Sequence, residues 1–412
     1  MLKWLSAEGS AGAGAAEAEE VLSEYDSDAE DEADAGVGGA GAAQPRVVAS
    51  ASARRPRPAL PGVVPGGEVT LFGEDGGAGM GGATGRRALS VCASPDGGLA
   101  LAGGSDGVLR SLALSREGAA AVAASAATVA DVGAPVTCVG FRPEARDAER
   151  SARGVAVAGT TAGEVCWVHV SSGKVLHRCA LGAPGSAVHC LAHAPLEGSV
   201  LAAAGDDGCV YVVDEARKEV VEVLRGGNAS RTTAGHTSRV AALCWADAAA
   251  ADVLYSGGWD MTVQVWDRRA GPGSVRSLFG PYLCGDALDV RGPTLLTGSR
   301  RSESALQLWD LRADGAGPMA AESDALSAAG PTDVYAARFA GTDASRVLAG
   351  GGHGEVALLP AASAAAAAAA GARTWRFTHP DSLPCYALAV RPGPHPVALA
   401  AMGTRLALLP LA

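Results

Sequence analysis

Aromatic residues are scarce in this chain of 412 residues, at 4% of the total, whereas hydrophobic residues of all kinds reach 48%. Much of that hydrophobic share is Ala and Val, so the core must be built from small and β-branched side chains, which suits sheets packed on sheets. No apolar stretch reaches the roughly 20 residues that span a bilayer, and the N-terminus lacks the long apolar region of a secretory signal. These absences predict a cytoplasmic or nuclear protein that does not associate with a membrane.

Cysteine occurs nine times, an odd number, and no two cysteines stand at Cys-x-x-Cys spacing. This pattern argues against a zinc site and a disulfide framework, and it favours buried, reduced thiols. The chain also lacks the G-x-x-x-x-G-K-[ST] loop that cradles phosphates and the H-E-x-x-H pair that binds zinc. We therefore expect no catalytic site, no metal, no cofactor and no small-molecule substrate.

Basic residues are outnumbered, and the formal net charge is −11. Binding to nucleic acid needs a basic surface, so no nucleic-acid partner is expected. Residues 1–66 are rich in Ala, Gly, Pro and acids and poor in large apolar residues, which predicts a disordered tail. Ser23 and Ser27 lie among its acids and indicate either an acidophilic kinase site or a merely solvated segment. The densest acidic run of this tail consists of Glu24, Asp26, Asp28, Glu30, Asp31, Glu32 and Asp34.

The chain from residue 67 to residue 412 is an internal repeat. Each of seven units begins with a short strand and continues as strand, Gly-rich turn and strand. The steps between successive units are 45 to 52 residues long, which agrees with the long end of the repeats of β-propellers. The first inward-facing residues of the seven units are Ala88, Val136, Val188, Val240, Gly285, Val334 and Cys385.

The clearest unit is the fourth, residues 234–269. It contains Gly235-His236, a strand ending in Ser256-Gly257, a tight turn with Asp260, and a strand ending in Trp266-Asp267. In this order of motifs the chain resembles the WD-repeat (WD40) family. The resemblance implies an all-β, seven-bladed WD40-type β-propeller, and it implies that His236, Ser256, Asp260 and Trp266 form a buried structural tetrad. The other units depart from the pattern, and only Trp309-Asp310 is a second full Trp-Asp pair.

The first and last blades are expected to close the ring. The segment Glu68–Phe72 precedes the first unit and has no partner there, while the last unit has no outer strand of its own. We predict that the two pair, because closure removes the exposed edges of an open array. The run Ala364–Ala370 is predicted to be a surface loop rather than a helix.

Partners of the resembled family usually dock on the narrower, or top, face of the ring. Trp259 is the sharpest candidate, because a large aromatic in a tight polar turn either anchors a partner or covers a neighbouring blade. Arg300 and Arg301 in the adjacent turn add positive charge, so we hypothesise an acidic or phosphorylated partner segment held between them and Trp259. The predicted contact residues are Arg87, His189, Asp206, Arg239, Trp259, Asp286, Arg300, Arg301, Tyr335 and Tyr386.

The function predicted from these features is that of a non-catalytic interaction scaffold, which presents its top face to a protein partner in a multiprotein complex. The alternative is the substrate-receptor subunit of a ubiquitin ligase, although we recognise neither an F-box nor a basic docking motif outside the repeats. An enzyme is disfavoured because no catalytic signature is present.

Overall fold

The structure, a computed structural model, describes residues 68–71, 86–114, 126–142, 154–195, 200–226, 234–301, 303–313, 317–319, 323, 330–331, 333–341, 344–361, 373–376, 384–391 and 396–411. The chain divides into two units, Met1–Pro61 and Gly62–Ala412, and all described residues belong to the second. The predicted tail, residues 1–66, and the predicted loop Ala364–Ala370 lie outside the described residues.

The described residues form an all-β propeller of seven blades. Each blade is an antiparallel sheet whose strands lie in chain order from the centre outward, and blade 7 carries the first strand of the chain at its outer edge. Two single-turn 3₁₀ helices, Ala248–Ala250 and Arg268–Ala270, lie in connections of blade 4. No helix among the described residues is long and apolar enough to cross a membrane.

The strands are, for the outer edge of blade 7, β1 (Glu68–Thr70); for blade 1, β2 (Ala88–Ala93), β3 (Leu99–Gly104), β4 (Val108–Ala113) and β5 (Ala127–Asp131); for blade 2, β6 (Val136–Phe141), β7 (Val155–Thr160), β8 (Glu164–His169) and β9 (Lys174–Ala180); for blade 3, β10 (Val188–His193), β11 (Val200–Gly205), β12 (Val210–Asp214) and β13 (Glu219–Leu224); for blade 4, β14 (Val240–Trp245), β15 (Val253–Gly258), β16 (Thr262–Asp267) and β17 (Arg276–Phe279); for blade 5, β18 (Leu288–Arg291), β19 (Thr294–Gly298) and β20 (Leu306–Asp310); for blade 6, β21 (Ala336–Phe339), β22 (Arg346–Gly350), β23 (Glu355–Pro360) and β24 (Arg373–Arg376); and for the rest of blade 7, β25 (Cys385–Arg391), β26 (Val397–Met402) and β27 (Arg405–Pro410).

Burial along the strands follows their distance from the centre of the ring. The second strand of a blade is buried on both faces, as in β7, because neighbouring blades cover both sides of it. The outer strand β9 is mostly exposed, because it forms the edge of its sheet that lies farthest from the centre of the ring. The abundance of Ala and Val is thus explained by sheets that pack closely face to face.

Glycines near the end of the second strand receive the first inward residue of the next blade. A Cβ atom added at Gly103 would lie 2.5 Å from Val136 Cγ1, and one added at Gly159 would lie 2.8 Å from Val188 Cγ1. The same contact at Gly298 would be with Val334, at 2.6 Å. Blades therefore approach so closely here that only a residue without a side chain fits.

The ring closes through the first strand of the chain. β1 pairs antiparallel with β27, with Glu68 opposite Ala407 and Thr70 opposite Arg405. Leu71 N donates to Thr404 O at 3.0 Å, and the Leu71 side chain is buried in the cluster shared by blades 7 and 1. The innermost strands contact one another in sequence around the ring, and β25 of blade 7 contacts β2 of blade 1.

The fifth unit differs from its sequence prediction. Its first strand begins at Leu288, not at Gly285, and Leu283 fills the place beside Gly257 that the inward residue occupies in other blades. Gly285 instead lies against a backbone: a Cβ atom there would be 2.4 Å from Tyr335 O. An outer strand was also expected, but blade 5 has three strands among the described residues, and parts of residues 314–329 lie outside them.

The sixth unit differs less. Its first strand begins at Ala336, two residues after the predicted Val334. Val334 nevertheless packs beside Gly298 as predicted for a first inward residue. The first strands of the remaining five blades begin at the predicted residues.

Candidate functional site

We define the top face as the end of the ring at which the second strand of each blade turns into the third. In blade 4 this turn is Trp259-Asp260-Met261, between β15 and β16. The same strands end at the lower face, where Asp267 and Asp310 close β16 and β20. The top face also carries the connections that lead into each first strand, so it gathers most of the predicted contact residues.

The four residues of the predicted tetrad form one hydrogen-bonded chain in blade 4. Trp266 Nε1 donates to Ser256 Oγ at 2.7 Å, and His236 Nε2 lies 2.7 Å from the same oxygen. His236 Nδ1 lies 2.8 Å from Asp260 Oδ2. Ser256 and Trp266 are fully buried. A hydrolase serine must reach substrate, so this Ser-His-Asp arrangement is structural.

Asp260 accepts more hydrogen bonds than the tetrad alone requires. Its Oδ2 atom also accepts from Thr237 N at 2.9 Å, and its Oδ1 atom accepts from Thr262 N at 3.2 Å and Thr262 Oγ1 at 2.8 Å. Burial raises the pKa of Asp260, but the hydrogen bonds and charge of His236, together with those donors, hold the pKa below its usual value. The carboxylate thus joins the turn to residues 236–237 and to the start of β16.

Five residues on the top face form a continuous row across blades 3, 4 and 5, which we call the top-face arc: His189, Asp206, Arg239, Trp259 and Tyr282. His189 Nε2 lies 2.8 Å from Asp206 Oδ1, and Arg239 Nε lies 3.5 Å from the same oxygen. The Arg239 guanidinium stands over the Trp259 ring, 4.5 Å from its centroid. Trp259 and Tyr282 have ring centroids 6.0 Å apart. The structure therefore brings four of the predicted contact residues together.

The arc is internally neutralised at its blade 3 end. Burial raises the pKa of Asp206, but the hydrogen bond and charge of His189 and the charge of Arg239 bring the pKa below its usual value. At the other end, burial raises the pKa of Tyr282 to about 12, with Cys284 adding to the shift. Trp259 packs on both Arg239 and the neighbouring Tyr282, so much of its ring is already covered within the protein.

A second group lies at the edge of the top face between blades 4 and 5, and we call it the blade 4–5 rim: Met261, Phe279, Arg300 and Arg301. Arg301 Nη2 approaches Met261 Sδ at 3.2 Å, and Arg300 N donates to Tyr282 O at 3.0 Å. Both arginines are exposed, and neither has a carboxylate within ion-pair distance among the described residues. The rim therefore combines apolar surface with positive charge that no described residue neutralises.

Met261 occupies an unusual position in its turn. Its φ angle is 55°, whereas the equivalent places in blades 1, 2, 3 and 6 are glycines with φ angles between 69° and 84°. A side chain in the left-handed region costs about 1–2 kcal/mol. The Met261 side chain is 50% exposed, so burial does not offset this cost.

The remaining predicted contact residues lie in or just before the innermost strands of other blades. Asp286 is paired with Arg338 of β21, so it joins blades 5 and 6. Tyr335 and Tyr386 pack edge to face, with centroids 6.2 Å apart, and both are buried. Burial raises the pKa of Tyr386, and the neighbouring Arg87 side chain opposes this shift. The roles of these four as partner contacts stay predictions.

Sequence reasoning did not select Tyr282, Met261 or Phe279. Tyr282 belongs to residues 280–290, which break the repeat pattern, and that break was the available signal. Met261 could have been found because it replaces the glycine that other turns have at this place. Phe279 carried no signal, since an apolar residue in an outer strand is equally consistent with burial.

Comparison with known proteins places the repeat of blade 4 in a family. Residues 227–267 match the family model described as WD domain, G-beta repeat. A ribosome biogenesis protein WDR12 homolog of Arabidopsis thaliana is 37% identical over 90 residues, which is 22% of this chain and 20% of that protein. The protein of the same name from Oryza sativa subsp. japonica is 33% identical over 95 residues, or 23% and 21% of the two chains.

The fold and the hydrogen-bonded repeat define a β-propeller built from repeated sheets around a common centre. With the match of residues 227–267, the repeat that forms blade 4 is similar to the WD repeat. The matches with the plant proteins span about a fifth of the length of those curated relatives.

Proposed function

We propose that the protein is a non-catalytic scaffold of a multiprotein complex and that it binds an acidic or phosphorylated segment of a protein partner on the top face of blades 4 and 5. The observation that carries this proposal is the pair Arg300 and Arg301, exposed and without a carboxylate partner among the described residues. Arginine forms paired, charge-assisted hydrogen bonds with carboxylates and phosphates, which makes such a pair a suitable anion site.

Comparison with other arginines supports the choice of this surface. Arg269 and Arg312 follow the lower ends of β16 and β20 and are also exposed, and each is paired with an aspartate, at 2.8 and 2.9 Å. Arg239 in the arc is likewise held by Asp206. Where the protein neutralises its own arginines, a partner carboxylate gains little, so Arg300 and Arg301 are the stronger binding groups.

The relatives suggest the setting in which such a scaffold works. Two proteins with short matches to this chain are named ribosome biogenesis proteins. We therefore extend the proposal to a nuclear complex that acts in ribosome assembly. Cosedimentation of the tagged protein with pre-ribosomal particles supports this extension, and exclusive recovery in light fractions contradicts it.

The proposal is tested by affinity purification and mass spectrometry of three versions of the full chain. The first is the parent, the second carries Trp259→Ala with Arg300→Glu, and the third carries Arg312→Glu on the lower face as a matched control. We expect the second version to lose specific partners and the third to keep them, provided that both unfold at the parent's urea midpoint. Identical partner lists for all three versions exclude this surface.

The same purification separates the scaffold from the alternative of a ubiquitin-ligase substrate receptor. A receptor recovers ligase subunits in constant ratio whatever top-face variant is used, because the ligase docks outside the substrate surface. Absence of ligase subunits together with a stable set of other proteins favours the scaffold.

A further inference from the structure

The blade 4–5 rim contains the most exposed large apolar side chain among the described residues. Phe279 is 75% exposed at the top end of β17, and Met261 is 50% exposed in the adjoining turn. Gly280 N donates to Met261 O at 2.9 Å, so the turn and the strand end lie side by side. Aromatic residues are scarce in this chain, with five phenylalanines in 412 residues, and one of them is placed in solvent.

The backbone at Met261 indicates that this apolar surface has a use. A glycine would adopt the left-handed conformation without steric cost, and four other blades have glycine at this place. Strained backbone positions cluster at functional surfaces, so Met261 is worth testing as part of one. The methionine side chain instead lies beside the Arg301 guanidinium.

We propose that the blade 4–5 rim recognises a protein segment in which an aromatic or large aliphatic side chain lies next to a run of acidic residues. The apolar side chain packs on Phe279 and Met261, and the acidic side chains pair with Arg300 and Arg301. This inference rests on the proposed function and sharpens it. The apolar anchor is then the rim, and not Trp259, whose ring is already covered by Arg239 and Tyr282.

Charge complementarity commits the rim to an acidic partner. An apolar patch alone would bind any hydrophobic segment, and an arginine pair alone would bind any anion. The two together require both features within one short segment, which is how a small surface gains specificity. Interface hot spots are few and clustered, so removing the apolar anchor should weaken binding about tenfold or more.

Two variants of the full chain test the inference against the partners that Arg300→Glu loses. Phe279→Ser removes the exposed anchor, and Val275→Ser is its matched control, since Val275 is 53% exposed beside the other end of β17. We expect Phe279→Ser to lose the same partners as Arg300→Glu and Val275→Ser to retain them. Loss with Arg300→Glu but not with Phe279→Ser leaves the proposed function standing and overturns the inference.

Defined peptides give an independent readout. The probes are fluorescein-labelled peptides with one Phe next to four Glu, a twin with Ala for Phe, and a twin with Gln for Glu. Fluorescence anisotropy should give at least tenfold tighter binding of the first peptide to the parent chain, and this preference should vanish with Phe279→Ser. Equal binding of the first two peptides overturns the inference.

A second copy of the chain is the competing occupant of the rim. Sedimentation velocity of the parent and of Phe279→Ser distinguishes it. We expect both to have the same sedimentation coefficient at all concentrations. A concentration-dependent dimer that Phe279→Ser abolishes assigns the rim to self-association and overturns the proposal.

Discussion

At the scale of single residues, one turn of blade 4 holds a carboxylate with many hydrogen bonds next to a strained backbone position. Asp260 accepts four hydrogen bonds, while the next residue, Met261, holds a left-handed backbone conformation. The hydrogen bonds of the aspartate stabilise the turn, whereas our proposal assigns a binding role to the methionine. The two roles can be separated by substitution.

Met261→Gly is expected to stabilise the propeller slightly while weakening partner binding. Relief of the left-handed side chain should add about 0.5–1 kcal/mol, since the native conformation suits glycine. Urea unfolding measures the first effect and partner recovery the second. Loss of stability together with loss of binding would mean that Met261 is a packing residue only.

Asp260→Asn should destabilise the propeller by about 1–3 kcal/mol, because an amide NH₂ would face donors that now meet a carboxylate oxygen. Asp207→Asn is the matched control, since it lies at the same turn position of blade 3. Its Oδ1 atom accepts from Cys209 N at 3.0 Å, and its Oδ2 atom accepts from the Tyr211 hydroxyl; an amide can accept the first bond and donate to the hydroxyl in place of the second. Urea unfolding at pH 7 should separate the two variants clearly.

The same variant carries a pH signature. The folded-state pKa of Asp260 is depressed, so its ionisation stabilises the fold above the unfolded pKa of about 3.9 and this contribution is lost as the pH falls through the folded pKa. The difference between parent and Asp260→Asn should therefore be full at pH 6 and shrink below pH 4. A difference that does not change with pH would assign the effect to packing.

At the scale of elements, the repeat determines where most of the first strands begin, and contacts between blades determine the start of the others. Five of the seven first strands begin where the periodicity predicts. The fifth does not, because Leu283 takes the packing place beside Gly257 and Gly285 meets a backbone carbonyl. Spacing alone cannot reveal this, since the choice depends on which side chain fits a neighbouring blade.

Deletion of residues 67–73 should destabilise the whole propeller. It removes the pairing of β1 with β27 and the buried Leu71, and it leaves an unpaired edge on blade 7. Deletion of residues 47–53 shortens the chain equally and serves as the control. Differential scanning calorimetry should give a lower Tm for the first deletion alone, and equal Tm values would contradict the closure.

At the scale of the whole molecule, the ring buries thiols on most of its blades. The buried cysteines are Cys138, Cys166, Cys190, Cys244, Cys284 and Cys385. Burial raises the pKa of Cys138 and Cys385 to about 12, which keeps them as unreactive thiols at neutral pH. All nine cysteines are free among the described residues.

Thiol labelling should thus report closure of the ring. At pH 8 we expect iodoacetamide to modify Cys179 and Cys209 first, because both are only half-buried, whereas burial raises the pKa of the third half-buried cysteine, Cys92, to about 12. The six buried cysteines should react together in urea, at the rate of global unfolding. Early labelling of Cys385 alone would show that blade 7 opens separately, and mass spectrometry of tryptic peptides distinguishes the two patterns.

The amino-acid sequence by itself determined the class of fold, the number of blades and the tetrad of blade 4. These depend on period and on residue type, and both can be read along a single chain. Only the tertiary structure decided that Arg239 covers Trp259 and that Asp286 forms an ion pair with Arg338. It also decided that Met261 and Phe279 are exposed near two arginines that have no carboxylate partner among the described residues. Such contacts join different strands or different blades, and whether an apolar or charged side chain is covered depends on neighbours that are not adjacent in the sequence.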